Sequence, residues 1–360
     1  MNSANIIINE PYPIHIGSGI LKGFNNEKEL FNSFSDLVIL VDSNTVDYCL
    51  PWLNMNIPQL ASANIIKIES GEPNKNINTT IDIWKAFSEN YVNRKSLLIN
   101  LGGGVVSDIG GFAASTFKRG IPFINIPTTL LAMADASVGG KTGVDLFNFK
   151  NHVGTFASPN AVIIDTDFLS TLSMEQILNG YAEIIKHALI ADKALWKKLK
   201  IMKLDSSINW EEIIIKNVRI KHKIIKNDPF EKGVRKLLNF GHTIGHAMES
   251  YSLSHGERKL THGEAIIIGM ICEVYISVVQ NSLDVFYANE ICSYLLLNFS
   301  KYRFPHKNIS KIVEIMKQDK KNINNKISFT LLREVGEATI DNFVDISLIE
   351  KSLEYYLQYV

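Results

Sequence analysis

Cysteine is nearly absent: three in 360 residues, at Cys49, Cys272 and Cys292. Spacings that wide make neither a paired-cysteine metal motif nor a disulfide framework, which points to a reducing, cytoplasmic setting. Charge of either sign in excess is also missing. Lys+Arg and Asp+Glu both number 37, and the formal net charge is zero. A nucleic-acid binder carries a basic surplus, so no such partner is expected. No uninterrupted apolar run approaches the roughly 18 residues of a membrane span, and the opening Met1-Asn-Ser-Ala-Asn lacks a signal pattern. No membrane association is expected, and no internal repeat or low-complexity segment stands out.

What is present is a change of texture near Thr166. Before it, apolar runs at Asn5–Asn9, Leu37–Val41, Ile65–Ile68, Leu97–Leu101, Phe123–Ile126 and Val162–Asp165 read as strands. Helical stretches separate them, including Thr79–Asn90 (Ile81, Trp84 and Phe87 on one face) and Val105–Ser115. That alternation predicts an α/β domain with a doubly wound, mostly parallel, Rossmann-like sheet. After it come long amphipathic segments at Met174–Ile190, Trp210–Asn227, Arg235–Tyr251, Gly263–Val279 and Asp284–Leu297, then strand candidates at Ile327–Leu332 and Gly336–Ile340. The expected division is an α/β domain over residues 1–168 and a mainly helical domain over 169–360. Asn148–Asn151 and Asn322–Lys326 read as loops.

Four of the nine histidines, His242, His246, His255 and His262, fall within 21 residues. His242 and His246 are four apart and share a helix face, so both point into one space. Such a pair with a distant third group makes a metal site; the plainer alternative is a set of satisfied core or surface histidines. Glu183 lies in an apolar helical stretch, where a carboxylate needs a cationic partner, a metal or a raised pKa. Lys186, one turn on, offers an ordinary ion pair as the alternative.

Other constellations concern anions. Gly102-Gly103-Gly104 follows a strand and opens a helix, which brings backbone N–H groups up to a diphosphate; a tight turn with no ligand is the alternative. Asp42 at a strand end suits a ribose hydroxyl or a helix cap. Asp108, Thr128 and Thr129 occupy neighbouring strand ends or helix starts. Gly139-Gly140-Lys141-Thr142 resembles the tail of a P-loop, but Asp135 stands where that motif's first glycine belongs, so it is not one. Lys141, Lys150 and Asn151 remain as anion ligands or solvated surface groups.

Taken in order, these stretches resemble the 3-dehydroquinate synthase family. The resemblance is carried by Gly102-Gly-Gly-Val-Val-Ser-Asp108-Ile-Gly-Gly-Phe-Ala-Ala, Lys118-Arg119-Gly120, Pro127-Thr-Thr-Leu-Leu-Ala, Asp135-Ala-Ser-Val-Gly-Gly-Lys141-Thr, Glu183-Ile-Ile-Lys186, Asn239-Phe-Gly-His242-Thr-Ile-Gly-His246, His262-Gly-Glu264 and Asp319-Lys320-Lys321. It spans about residues 40 to 335. It implies a dimeric lyase that uses NAD and a divalent metal, zinc or else cobalt. The implied substrate is 3-deoxy-D-arabino-heptulosonate 7-phosphate, and the products are 3-dehydroquinate and phosphate. The implied course is transient oxidation by NAD, phosphate elimination, re-reduction, ring opening and aldol closure.

Matched motif by motif, the resemblance assigns the metal to Glu183, His242 and His262, and turns His246 towards substrate. It assigns NAD to Asp42, Asn44, Glu72, Lys75, Gly103, Gly104, Val105, Asp108, Thr128, Thr129, Phe168 and Thr171. Catalytic and substrate contacts fall to Asp135, Lys141, Lys150, Asn151, Lys186, Lys221, Glu231, Arg235, Asn239 and Lys320, with Arg119 lent to the neighbouring subunit's site. The implied cations account for how a chain of zero net charge binds a sugar-acid phosphate, and Arg235 suits its planar carboxylate. Two positions depart from the family pattern: Gln176 stands for a common Glu, and Phe149 for the glycine before Lys150.

Overall fold

The computed structural model describes residues 6–24, 30, 31, 33–147, 149–205, 208–255, 258–319 and 326–360. Two compact units result, Met1–Ile177 with Asn209–His222, and Leu178–Ile208 with Lys223–Val360. Two long helices, Met174–Ala191 and Trp210–Asn227, each run from one unit into the other.

The first unit is built on strands β1 (Ile6–Ile8), β2 (Ile14–Gly17), β3 (Leu37–Asp42), β4 (Asn64–Ile68), β5 (Leu97–Gly102), β6 (Phe123–Pro127) and β9 (Ala161–Asp165). They form a seven-stranded sheet in the order β1-β2-β9-β6-β5-β3-β4. All neighbours run parallel except β1, an antiparallel edge strand on β2. Every residue of β5, β6 and β9 is buried, as a sheet covered on both faces requires, which explains their mostly Val/Ile/Leu/Phe sequences. The expected doubly wound class is therefore the observed one. Helices α1 (Ile77–Glu89) and α2 (Gly104–Thr116) help cover the sheet, with Ile83, Phe87, Val106 and Ile109 packed on Leu40, Ile66 and Leu98.

The chain winds from β3 outward to β4, then returns to place β5 on the other side of β3. That reversal opens a crevice at the carboxyl ends of β3 and β5, where open α/β sheets bind ligands. Asp42 and Gly102 end those two strands.

The hairpin of β7 (Lys141–Leu146) and β8 (Phe149–Phe156) corrects one expectation. Lys150 and Asn151, read as a loop, begin β8. Their Asn/Lys composition hid a ladder that is set by the partner strand and not by local propensity. Strand β2 escaped notice because His15 and Gly17 interrupt its apolar residues.

In the second unit lie the greater part of α3 (Met174–Ala191), the end of α4 (Trp210–Asn227), and α5 (His242–His255), α6 (His262–Gln280), α7 (Val285–Asn298), α8 (Ile309–Asp319) and α9 (Ile346–Leu357). Strands β10 (Lys326–Glu334) and β11 (Glu337–Asp345) form an antiparallel hairpin beside α6. Helix α6 is long and apolar enough to cross a membrane, but it is mostly buried among α5, α7, α9 and β10, as a core helix is. The expected single helix Arg235–Tyr251 is broken. Val234–Asn239 forms a 3-10 turn, and α5 starts only after Gly241, whose φ of +78° no α-helix contains.

Candidate active site

In the second unit, Glu183 on α3, His242 at the start of α5 and His262 at the start of α6 converge. Glu183 Oε1 lies 3.3 Å from His242 Nε2 and 3.1 Å from His262 Nε2, and the three donor atoms fall within 4.8 Å of one another. Two ligands on a tetrahedral ion with bonds of about 2.0–2.1 Å sit about 3.3 Å apart, so the set has the spacing of a cation cage. His242 Nδ1 meets the Phe240 carbonyl at 3.1 Å and His262 Nδ1 meets Glu249 Oε2 at 3.4 Å. With Nδ1 turned to an acceptor in each ring, Nε2 is the atom that faces Glu183.

Lys186 completes the group. Its ammonium pairs with Glu183 Oε2, and the two side chains are 1% and 0% exposed. The anticipated i, i+3 pair exists, but deep inside the unit and not on a wet face. Burial pushes the Glu183 carboxyl up, and the charges of Lys186 and His242 with hydrogen bonds from both histidines outweigh it, holding it well below the usual carboxylate range. Burial and the Lys186 charge lower His242 against the pull of Glu183. Burial also opposes charge on His262, but its bonds to Glu183 and Glu249 win and raise it to about 9. The ring of His246 stands 5.1 Å from that of His242 and 6.0 Å from that of His262, beside the cage.

Asn179 brings α3 to the start of α6: its Oδ1 accepts from Gly263 N–H at 2.6 Å, one turn before Glu183. A Cβ on Gly263 would lie 2.5 Å from the Asn179 carbonyl, so only glycine allows this approach. Also in this unit, Asn239 Nδ2 donates to Glu231 Oε1 at 2.9 Å, which joins two residues expected at the substrate. Arg235 is buried, with Nη1 donating to the Pro229 carbonyl at 2.6 Å. Asp228 organises this turn by accepting N–H bonds from Lys232, Gly233 and Arg235. Lys320 lies outside the described residues.

The first unit holds the residues expected at NAD. Gly103 caps α2 without a side chain, which leaves the first N–H groups of that helix for an anion. A Cβ on Gly103 would stand 3.0 Å from Thr129 Cγ2, and one on Gly104 3.3 Å from Ala136 Cβ. Val105 follows in the first turn, and Asp108 one turn further. Thr128 N–H bonds the Gly102 carbonyl at 3.0 Å, which ties the ends of β5 and β6. Asp42 closes the turn after β3, with Oδ1 accepting from Asn44 and Thr45 N–H at 2.9 and 2.8 Å. Lys75 is buried and bonds Asp108 at 2.9 Å, with Glu72 at 3.5 Å; Lys150 reaches the same Glu72 carboxylate at 3.2 Å. Burial opposes the Lys75 charge, but Asp108, Glu72 and Asp145 together hold its pKa above the ordinary value. Phe168 is buried and Thr171 exposed, both in the 3-10 turn after β9.

Asp135 belongs to a π-turn, Ala132–Ala136. Lys221 Nζ bonds its carboxylate at 2.6 Å, and Asn217 Nδ2 bonds the Ala134 carbonyl at 2.7 Å. From the sheet, Asn100 Nδ2 bonds Asn125 Oδ1 at 2.9 Å, and Asn125 Nδ2 bonds the Ser137 carbonyl at 3.1 Å. Lys141 is exposed at the base of the hairpin, entering a strand and not a helix, which rules out a P-loop. Arg119 is exposed and held at φ +69° beside Gly120. The reading of the residues did not single out Asn179, Asn217, Asn100, Asn125 or Asp228. For Asn100 and Asn125 a signal was present, an asparagine inside an otherwise apolar strand, since buried amides need partners.

Comparison with known proteins bears on the family and the fold. The families described as 3-dehydroquinate synthase N-terminal and 3-dehydroquinate synthase C-terminal match residues 65–179 and 180–322. The 3-dehydroquinate synthase of Parabacteroides distasonis is 40% identical over 343 residues, covering 94% of this chain and 96% of its own. Among solved structures, the 2-epi-5-epi-valiolone synthase of Streptomyces hygroscopicus subsp. jinggangensis, with NAD+ and Zn2+ bound, is 25% identical with a TM-score of 0.85 over 98% of both chains. A 2-deoxy-scyllo-inosose synthase, complexed with carbaglucose-6-phosphate, NAD+ and Co2+, shares the fold with a TM-score of 0.80 at 24% identity over 96% of both chains. With both family regions matched and that level of identity over nearly its whole length, the chain belongs to the 3-dehydroquinate synthase family.

Proposed function

We propose that this protein converts 3-deoxy-D-arabino-heptulosonate 7-phosphate into 3-dehydroquinate and phosphate, as a cytoplasmic homodimer in which Arg119 reaches the neighbouring subunit's site. The observation that carries the reading is the Glu183, His242 and His262 cage with the buried Lys186 against its carboxylate. The donor set, one carboxylate and two imidazoles, is that of a catalytic zinc or cobalt site with room for substrate. NAD falls to the first unit, at the glycine turn of α2 with Asp42, Asn44, Glu72, Lys75, Val105, Asp108, Thr128, Thr129, Phe168 and Thr171 around it. When bound, NAD supplies a hydride acceptor restored in each turnover, and the divalent ion a Lewis acid at the substrate hydroxyls.

The chain's own residues hold and orient. Arg235, braced by the Pro229 carbonyl, is assigned the substrate carboxylate, where a planar fork binds both oxygens. Lys141, Lys150 and Asn151 of the hairpin and Lys186, Lys221 and Lys320 neutralise the remaining charge; Asp135, Glu231, Asn239 and His246 face hydroxyls. The departing phosphate can take the C–H proton itself, so the protein's task is to fix that group against the ring. Pre-set charges and hydrogen bonds at fixed positions serve such chemistry.

The test is phosphate release from 3-deoxy-D-arabino-heptulosonate 7-phosphate beside sedoheptulose 7-phosphate, with and without NAD and a chelator, while NADH absorbance is followed. Release from the first substrate alone, dependent on NAD and metal and with no net NADH, is expected. Release from the heptulose alone would assign a related cyclase, and net NADH a dehydrogenase.

A further inference from the structure

His242 and His262 occupy the same place in their helices, the first helical residue of α5 and of α6. A side chain there is aimed by the backbone turn just before it, and so by whatever satisfies the helix's unpaired N–H groups. Helix α6 does this locally. Thr261 Oγ1 accepts from Glu264 N–H at 3.3 Å and Glu264 Oε2 accepts from Thr261 N–H at 2.9 Å, a reciprocal capping box around His262.

Helix α5 has no local means. Its cap is Gly241, at φ +78°, where a Cβ would lie 2.6 Å from Met270 Cγ, so a Ser or Thr cap cannot stand there. The two N–H groups that a capping box serves are bonded instead by one carboxylate from α6. Gly241 N–H donates to Glu273 Oε2 at 2.6 Å, and Ile244 N–H to Glu273 Oε1 at 3.4 Å. Glu273 is fully buried, three turns beyond His262 on the same helix. A Cβ on Gly269 would lie 1.9 Å from the Gly241 carbonyl, so the two backbones touch at this point.

We propose that Glu273 is a positioning residue for His242: a capping carboxylate delivered from α6 that fastens the start of one histidine's helix to the body of the other's. One helix thereby sets both imidazoles, His262 directly and His242 through Glu273. The proposal rests on the metal reading above and is tested with cobalt(II) as the probe. Wild type, Glu183→Ala and Glu273→Gln are titrated against a competing chelator, with circular dichroism and NAD affinity measured alongside. Glutamine keeps the size but replaces one acceptor oxygen with an amide NH2 that cannot accept from an N–H. The folded Glu273→Gln protein should keep its NAD affinity, bind cobalt about tenfold or more weakly and show shifted visible bands, the scale of effect expected for a partner behind a ligand. Cobalt affinity and bands equal to wild type would overturn the proposal. Wild type binding cobalt no better than Glu183→Ala would overturn the metal reading first, and this with it. If Glu273→Gln does not fold, Glu273→Asp, with both acceptors on a shorter arm, decides by the same measure: weaker cobalt binding supports the proposal, and wild-type binding overturns it.

Discussion

Lys221 and Asp135 are 86 residues apart in sequence, yet the Lys221 ammonium bonds both the Asp135 backbone carbonyl, at 2.5 Å, and its carboxylate, at 2.6 Å. The lysine thus fixes the π-turn and the direction of its side chain together. A π-turn is a costly local geometry that recurs at functional positions. Lys221→Met should leave the Asp135 carboxylate without this partner and lower kcat/KM at least a hundredfold. Thermal unfolding should show about 1–3 kcal/mol of lost stability, the scale of a hydrogen bond to a charged group. Activity near wild type would refute the pairing's importance.

Glu183 and Lys186 neutralise one another with both side chains buried. Removing one charge leaves the other buried and alone, at a cost of about 3–5 kcal/mol. Glu183→Ala should therefore lose metal, turnover and stability, while its secondary structure by circular dichroism persists below the lowered melting point. Glu183→Ala with Lys186→Met should recover most of the stability and none of the metal. Metal at full stoichiometry in Glu183→Ala would sink the ligand assignment.

A change at the glycine turn of α2 tests the proposed cofactor site apart from the proposed metal site. Gly103→Val adds a side chain where even a Cβ lies 3.0 Å from Thr129, and blocks the N–H groups behind it. Its NAD affinity should fall at least tenfold by fluorescence titration, with cobalt affinity on the second unit unchanged. Loss of both together would instead indicate general misfolding.

Glu290 on α7 accepts from Trp196 Nε1 at 2.9 Å and from Lys200 Nζ at 2.5 Å. Burial raises its pKa, but the bonds from Lys200 and Trp196 with the Lys200 charge outweigh this, and the net shift is downward. A carboxyl whose folded pKa is depressed contributes stability in full above its unfolded value of about 4.3, and loses it as pH falls through the folded pKa. Glu290→Gln should cost about 1 kcal/mol at pH 7 and flatten the acid limb of the stability curve below about pH 4. A parallel acid limb in the variant would contradict the shift.

Much of the fold was legible. Strands β3, β5, β6 and β9 are mainly apolar runs bounded by polar turns, and α3 and α4 carry a clear 3.6-residue period; local pattern decides such elements. The β7–β8 hairpin was not legible, because Gly143, Asp145, Lys150, Asn151 and Gly154 interrupt its apolar residues and only pairing makes it a ladder. The Arg235–Tyr251 helix was over-extended for a related reason: its apolar period runs through Phe240 and Gly241, while Gly269 and Met270 of another helix impose the break.

The sequence by itself determined the doubly wound class, the family and the residue types at the site, since each is written in contiguous motifs a few residues long. Only the tertiary structure decided the spacing at which Glu183 meets His242 and His262, and that Lys186 faces inward to Glu183. Helix periodicity gives a direction around an axis but not which neighbour fills it. The supporting set, Asn179, Asn217, Asn125 and Glu273, was decided there too. Each bonds a backbone group between 12 and 84 residues away, and a buried polar side chain declares its partner only when the chain has closed around it.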